Sequence, residues 1–290
     1  MGGVEVAGLH DPLNIFKQTP HGYPGQMTSL PRRKSFFDFA VNDFDRYSLM
    51  QTIGDVVGSG EKAILLPMNA DCFNLSRRRN DYRELLRSGR HPVYPDGAGV
   101  TFALALLGLG FQERLVTTDV VLYLLETISV GKLPWTITFL GGQDGIAKRA
   151  RNKLNDKYAI DSIRCDIEPA LIPWDEIRAC QGPAFDSVVE ALNENPTDIV
   201  FVGLGCPKQE LFCQAILDRV PQKIFIPCGG LFAYYAGEHA RAPLWMQRAG
   251  LEWLFRLSLE PNRLWKRYLI GNLEFVLRVL KEKGRLVLDG

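Results

Sequence analysis

The chain is 290 residues long, 46% apolar and 23% charged, with 34 Lys+Arg against 33 Asp+Glu and a formal net charge of +1. This composition excludes wholesale disorder and any fibrous repeat. The near-neutral charge excludes a general nucleic-acid binder, which needs a basic excess. The length suffices for one large domain or two small ones around a sizeable core.

Residues 1–34 are rich in Gly, Pro and His without a period, which predicts a flexible extension lacking a signal-peptide core. Residues 36–41 have strand character, and Asp45 is placed to cap a helix bearing Leu49, Ile53 and Val56. Residues 63–67 predict a short buried strand, 71–87 a helix, 92–95 an extended piece, and 99–109 and 116–129 two further helices. Strands follow at 135–140, 198–202 and 223–226, alternating with helices at 145–158, 185–193 and 209–218. Strands without polar alternation, separated by helices, predict a parallel sheet buried on both faces. The expected fold is therefore α/β, a doubly wound, mostly parallel Rossmann-like sheet over residues 35–235. Ligands of such sheets sit beyond the carboxyl ends of the strands. The loops at 68–69, 141–142, 203–210 and 228–232, the last with Gly230, are the places for a site.

From residue 236 onward the pattern becomes helical, in stretches 244–259 and 262–283 split by Pro261. This predicts a helical appendage over 236–290. It carries 10 Lys+Arg against 6 Asp+Glu and three of the five tryptophans, which suits an anionic partner. No stretch is long enough to span a bilayer; residues 97–112 come nearest but are short and interrupted by glycine.

Gly203, Gly205, Pro207, Lys208, Gln209 and Glu210 form the sharpest candidate. A buried strand runs through two glycines into a helix start with Pro in its first turn. Free amides and the helix dipole there suit a phosphate or a sugar hydroxyl. Gln209 stands either as a ligand contact or as a plain surface residue. Gly141 and Gly142, with Gly145, make a degenerate dinucleotide-type turn, but no acidic residue closes a convincing second strand. Asp96 lies beside glycines before an apolar helix, as an N-cap or as a general base. Asp43-Phe44-Asp45 reads as helix capping rather than a metal-binding D-x-D. Six cysteines without a C-x-x-C pair and four scattered histidines offer no zinc spacing, so reduced, mostly buried thiols are expected. Arg241, Arg248, Arg256, Arg263, Lys266 and Arg267 interleave with aromatic residues, and the local carboxylates are too few to pair them all. Such guanidinium forks suit a diphosphate.

Together these segments resemble the WecG/TagA/CpsF family, glycosyltransferase family 26, over residues 36–280. PDGAGV (95–100), DIVFVGLGCPKQE (198–210) and the run GGLFAYYAGEHARAPLWMQRAGLEWLFRLSLEPNRLWKRYLIGN (229–272) carry the resemblance. ERLVTTD (113–119) and FLGGQDG (139–145) add to it. The resemblance implies an inverting, metal-independent and cofactor-free hexosyltransferase acting in cell-surface or exopolysaccharide biosynthesis. It would move N-acetylmannosamine, its uronic acid or glucose from a UDP-sugar to a polyprenyl-diphosphate-linked saccharide. It makes Asp96 the general base, displacing the capping alternative, and sets Gln209 near the sugar nucleotide. Asn69 matches the Asn of a T-x-N motif. Arg241, Arg248, Arg256, Arg263 and Arg267 are expected to close over the site and hold diphosphate charge. The appendage would keep the protein at the cytoplasmic face of the bacterial plasma membrane, and a homo-oligomer is compatible with this picture. Two departures bear on sugar specificity: Pro67 replaces the family's Thr, and Val116-Thr117 replaces its T-G. A sugar-nucleotide-binding module without activity is the alternative. A nicotinamide oxidoreductase lacks both the partner acid and a hydride-transfer constellation.

Overall fold

The computed structural model describes residues 31–110, 113–169 and 171–288. Most of the expected N-terminal extension, residues 1–30, lies outside them. Arg33 and Lys34, expected at its end, already belong to β1 (Arg33–Phe36), which pairs antiparallel with β2 (Phe39–Asn42). The single strand expected at 36–41 thus straddles the turn of a hairpin, from the end of β1 into β2. Helix α1 (Arg46–Ser59) starts as predicted at Asp45, whose carboxylate accepts from Ser48 N at 2.7 Å while Ser48 Oγ accepts from Asp45 N at 3.1 Å. This reciprocal capping box satisfies two otherwise orphaned amides. Asp45→Ala should lower stability by about 1 kcal/mol, read as a small fall in melting temperature.

The central sheet has five parallel strands in the order β3-β9-β8-β6-β7. They are β3 (Ala63–Ile64), β6 (Ile137–Gly141), β7 (Ile163–Ile167), β8 (Ile199–Gly203) and β9 (Ile224–Pro227). Alternate residues feed two apolar layers. Ile137, Phe139, Ile199, Phe201, Ile224 and Ile226 pack on one face, and Leu140, Val200, Val202 and Phe225 on the other. Burial on both faces explains the absence of polar alternation.

The strand expected at 63–67 is split. After Leu65, whose amide still bonds Phe225 O, the chain turns to a new partner. β4 (Leu66–Met68) then pairs in parallel with β5 (Val93–Pro95). Between them the helix expected at 71–87 is broken at Arg79 into α2 (Ala70–Arg78) and α3 (Asn80–Arg87). α4 (Ala98–Leu106) and α5 (Thr117–Gly131) follow β5. β7 was not expected: its sequence Ile-Arg-Cys-Asp-Ile lies at the sheet edge, half exposed, with no apolar run to reveal it. α6 (Ile146–Tyr158) precedes β7, and α7 (Trp174–Ala179) and α8 (Pro183–Glu194) follow it. α9 (Lys208–Ile216) joins β8 to β9, and α10 (Leu231–Ala236) follows β9.

From β6 the chain steps to β7 on one side, then returns to place β8 on the other. The topological switch point therefore lies between β6 and β8. There Gly141 and Gly203 are paired at the strand ends. Gly141 has φ +117°, and a Cβ on it would stand 2.5 Å from Gly203 O. A Cβ on Gly203 would stand 2.7 Å from Gly229 O. No side chain fits at either place, so three backbones meet at the carboxyl edge of the sheet.

The C-terminal part comprises α11 (Leu244–Arg248), α12 (Glu252–Leu259), α13 (Pro261–Trp265), a wider π turn (Lys266–Ile270) and α14 (Gly271–Leu288). The first expected helix is broken around Gly250, which has φ +73° and comes so near α4 that a Cβ there would lie 2.9 Å from Ala98 Cβ. α14 docks on α2 and α4 through buried Phe275 and Val279, a Phe275–Phe73 ring contact at 5.3 Å and a bond from Asn74 Nδ2 to Gly271 O at 2.7 Å. No helix among the described residues is long and apolar enough to cross a membrane.

Candidate active site

Asp96 follows β5 directly, and its amide bonds Met68 O at 2.8 Å. Its carboxylate accepts from Thr117 N at 3.0 Å and from Asn69 Nδ2 at 3.3 Å. It does not cap the helix it precedes. Gly97 stands at that N-cap, and Asp96 instead receives an amide from the first turn of α5. Asn69 caps α2, its Oδ1 accepting from Asp71 N at 3.1 Å and Cys72 N at 3.0 Å. That fixes the flip of the carboxamide and leaves Nδ2 to hold Asp96. Burial pushes the Asp96 carboxyl above the usual carboxylate range. The two donors and the charge of Arg256 oppose that rise without cancelling it. A positioned carboxyl with a raised proton affinity is what a general base near neutrality requires.

The loop after β8 runs through Gly205 (φ +81°) and a cis Cys206–Pro207 peptide, with Pro207 at the N-cap of α9. Gln209 is only 3% exposed, so it is not a surface residue. Its Oε1 accepts from Gly205 N at 3.1 Å and Gly229 N at 3.0 Å, and its Nε2 donates to Glu210 Oε1 at 2.9 Å. The side chain clamps the loop after β8 to the loop after β9. The Gly205 amide, expected to be free for a ligand, is taken by this clamp. Glu210 is wholly buried, Oε2 has no hydrogen-bond partner, and burial pushes its carboxyl to about 7. Lys208, at the first turn of α9, has its ammonium lowered by partial burial. Gly230 stands at the N-cap of α10.

At the other side of the switch point, Gly141, Gly142 and Gly145 all have positive φ. The acid not expected there exists. Glu168, just past β7, accepts from Gly145 N and Ala147 N, each at 2.7 Å. Its carboxylate occupies the start of α6, where the helix dipole favours negative charge. The unrecognised edge strand concealed it.

The C-terminal arginines separate into different environments. Arg241 forms a two-pronged pair with Asp119 at 2.6 and 3.0 Å and reaches Glu252 at 3.2 Å. Arg114 bonds the same Glu252 at 2.7 Å. Arg263 pairs with Glu260 at 2.6 Å and Arg267 with Asp71 at 3.1 Å. Carboxylates from α2 and α5 thus supply partners that the local count did not include. Arg248 is exposed, and Arg256 lies over the Tyr234 ring at 4.9 Å. Arg256 is the member of the set whose charge acts on Asp96. Arg241→Met would leave Asp119 without its fork and should cost about 2 kcal/mol, less than a fully buried pair because the site is partly wet. Urea unfolding of the variant checks this.

The cysteines are less buried than expected: Cys72 and Cys213 are buried, Cys165, Cys206 and Cys228 are half-buried and Cys180 is exposed. Cys72, Cys206 and Glu210 bring their ligand atoms within 4.8 Å of one another. Residues 134 positions apart cannot reveal such a group through spacing.

A doubly wound sheet with a positioned carboxyl at its carboxyl edge and glycine loops at its switch point has the make-up of an α/β enzyme. The model of the glycosyl transferase WecG/TagA/CpsF family matches residues 34–287, and the chain belongs to that family of glycosyltransferases. It is 29% identical over 269 residues to the N-acetylglucosaminyldiphosphoundecaprenol N-acetyl-beta-D-mannosaminyltransferase of Bacillus subtilis (strain 168), covering 92% of each chain. Proteins of the same name from Bacillus spizizenii and Staphylococcus aureus (strain MRSA252) are 28% and 22% identical. Those two matches cover 71% and 84% of this chain and 74% and 92% of the relatives.

Proposed function

We propose that the protein transfers N-acetylmannosamine from a UDP-sugar to an N-acetylglucosaminyl-diphosphate-polyprenol, with inversion and without a metal in the transfer step. The observation that carries this reading is the Asp96 carboxyl, half-buried and aimed by Asn69 and Thr117 N, with its proton affinity raised by desolvation. Among the hexoses open to the family, the relatives' names favour N-acetylmannosamine. Asp96 takes the proton of the acceptor hydroxyl as its oxygen attacks the anomeric carbon. UDP leaves from the opposite face in one displacement. Charge developing on the leaving diphosphate meets Arg256, Arg248 and Lys208, which are not tied into carboxylate pairs among the described residues. Arg241 and Arg263, already paired, shape the appendage instead of gripping phosphate.

Ile270, Leu273 and Leu277 are exposed beside Lys281, Lys266 lies over the exposed Trp265 ring at 5.5 Å, and Leu244 and Trp245 are exposed on α11. An apolar face edged with cations suits the surface of an anionic membrane, where a prenyl acceptor is anchored. The test is incubation with a short-chain prenyl-diphosphate acceptor and a panel of UDP-sugars, with and without EDTA. Transfer from UDP-N-acetylmannosamine that survives EDTA supports the reading. Nucleotide binding without transfer from any donor sinks it in favour of an inactive binding module.

A further inference from the structure

The two cysteines and the glutamate beneath the glycine loop have no part in the sugar transfer derived above. Cys72 sits in the first turn of α2, three residues after Asn69, whose Oδ1 accepts from its amide at 3.0 Å. Cys206 lies in the loop entering α9, and Glu210 in the first turn of that helix. Their Sγ, Sγ and carboxylate oxygen lie within 4.8 Å of one another. Cys72 is 2% exposed and Glu210 0%. Glu210 Oε2 is buried without a hydrogen-bond partner, and so is the hydroxyl of Tyr82, which lies beside the Cys206 thiol. Buried oxygens without partners are rare in native folds, so such a pair points to an occupant.

We propose that Cys72, Cys206 and Glu210 bind a zinc-type metal ion that pins the loop after β8 to the N-terminus of α2. Two thiolates and one carboxylate form a borderline-soft ligand set that suits Zn²⁺ and not Mg²⁺ or Ca²⁺, which take oxygen ligands in larger number. Zn–S bonds of about 2.3 Å place two tetrahedral sulfurs about 3.8 Å apart. Closing from 4.8 Å or less needs only side-chain adjustment. With three protein ligands, the fourth tetrahedral position is left to a water; the Tyr82 hydroxyl lies beside Cys206. Zinc with three anionic ligands carries one net negative charge, and the Arg267 guanidinium, whose field reaches both Cys72 and Cys206, offsets it. Cys206 is only half-buried, which leaves an entry path. The ion is structural: it holds the loop that carries Lys208 and the helix that carries Asn69, and it touches no reacting atom.

The test uses the full chain, grown with zinc and freed of loose metal by gel filtration. Metal analysis should find one zinc per chain. Cys72→Ser, Cys206→Ser and Glu210→Gln should each lose it, while Cys180→Ser, an exposed cysteine elsewhere, should keep it. Cobalt substitution should add thiolate-to-cobalt charge-transfer bands that vanish in Cys72→Ser. Circular dichroism of each variant guards against misfolding as the cause of loss. Folded wild-type protein with no stoichiometric zinc and no cobalt–thiolate bands would overturn the proposal. So would a Cys72–Cys206 disulfide found by non-reducing peptide mapping. Because the readout is bound metal, either result leaves the transfer reaction to be judged by its own assay.

Discussion

Asp96→Asn should lower the transfer rate by about 10²–10⁴-fold while leaving UDP-sugar binding and folding close to those of the parent protein. The substitution is nearly isosteric. Asn Oδ1 can still accept from Thr117 N, so the link to α5 survives. What is lost is the bond from Asn69, because two amide NH₂ groups would then face each other; that costs about 1 kcal/mol. A compensating gain exists. The Asp96 carboxyl holds its proton more tightly in the fold than in the unfolded chain, so its contribution favours folding at low pH and is lost as pH rises through the raised range. At neutral pH the partly desolvated, ionised carboxylate is therefore a burden that Asn removes. A near-normal melting temperature with a collapsed rate would separate a base from a structural carboxylate. Turnover near that of the parent would sink the assignment. The same burial predicts that the acid limb of the rate profile lies above the ordinary carboxylate value of 3.8, because protonated Asp96 cannot accept the acceptor's proton.

Much of this arrangement was legible from the order of residues, for a definite reason. The buried strands β6, β8 and β9 are apolar apart from Thr138, and both faces of the sheet demand that pattern. Turn glycines mark strand ends where no Cβ fits, as at Gly141 and Gly203. Asp45 ahead of an apolar helical pattern is a local capping signal, and the structure adds Ser48 as its reciprocal partner. What escaped is what depends on distant partners. β7 is an edge strand with Arg164 and Asp166 in it, so its burial is too slight to leave a hydrophobic signature. Glu168 was lost with it. Arg241 looked like a free cation because Asp119 is 122 residues away. Gln209 looked like either a ligand contact or a surface residue because neither Gly205 N nor Gly229 N announces, in sequence, that it lacks a carbonyl partner. Long-range polar pairing follows from topology, and topology is visible in a sequence only through its apolar periodicity.

Gln209→Leu is accordingly expected to weaken the fold more than any loss of a ligand contact would. Leu fills a similar volume but removes one acceptor and one donor at once. Gly205 N and Gly229 N lose their shared oxygen, and Glu210 Oε1 loses its donor beside an Oε2 that already has none. Three orphaned buried groups at about 1–3 kcal/mol each, partly relieved by relaxation of the loops, give a loss of about 3–6 kcal/mol. For a chain of this size that is a fall of roughly 5–10 °C in melting temperature. Gln209→Asn, one methylene shorter, reaches one loop but not both and should fall between. Nucleotide affinity should drop in parallel with stability across the two variants, since both glycine loops border the switch point where the nucleotide is expected. A Gln209 that served chiefly as a ligand contact would behave differently: Leu would raise the donor KM and leave the melting temperature where it was. The two outcomes separate a clamp that builds the site from a side chain that merely faces it.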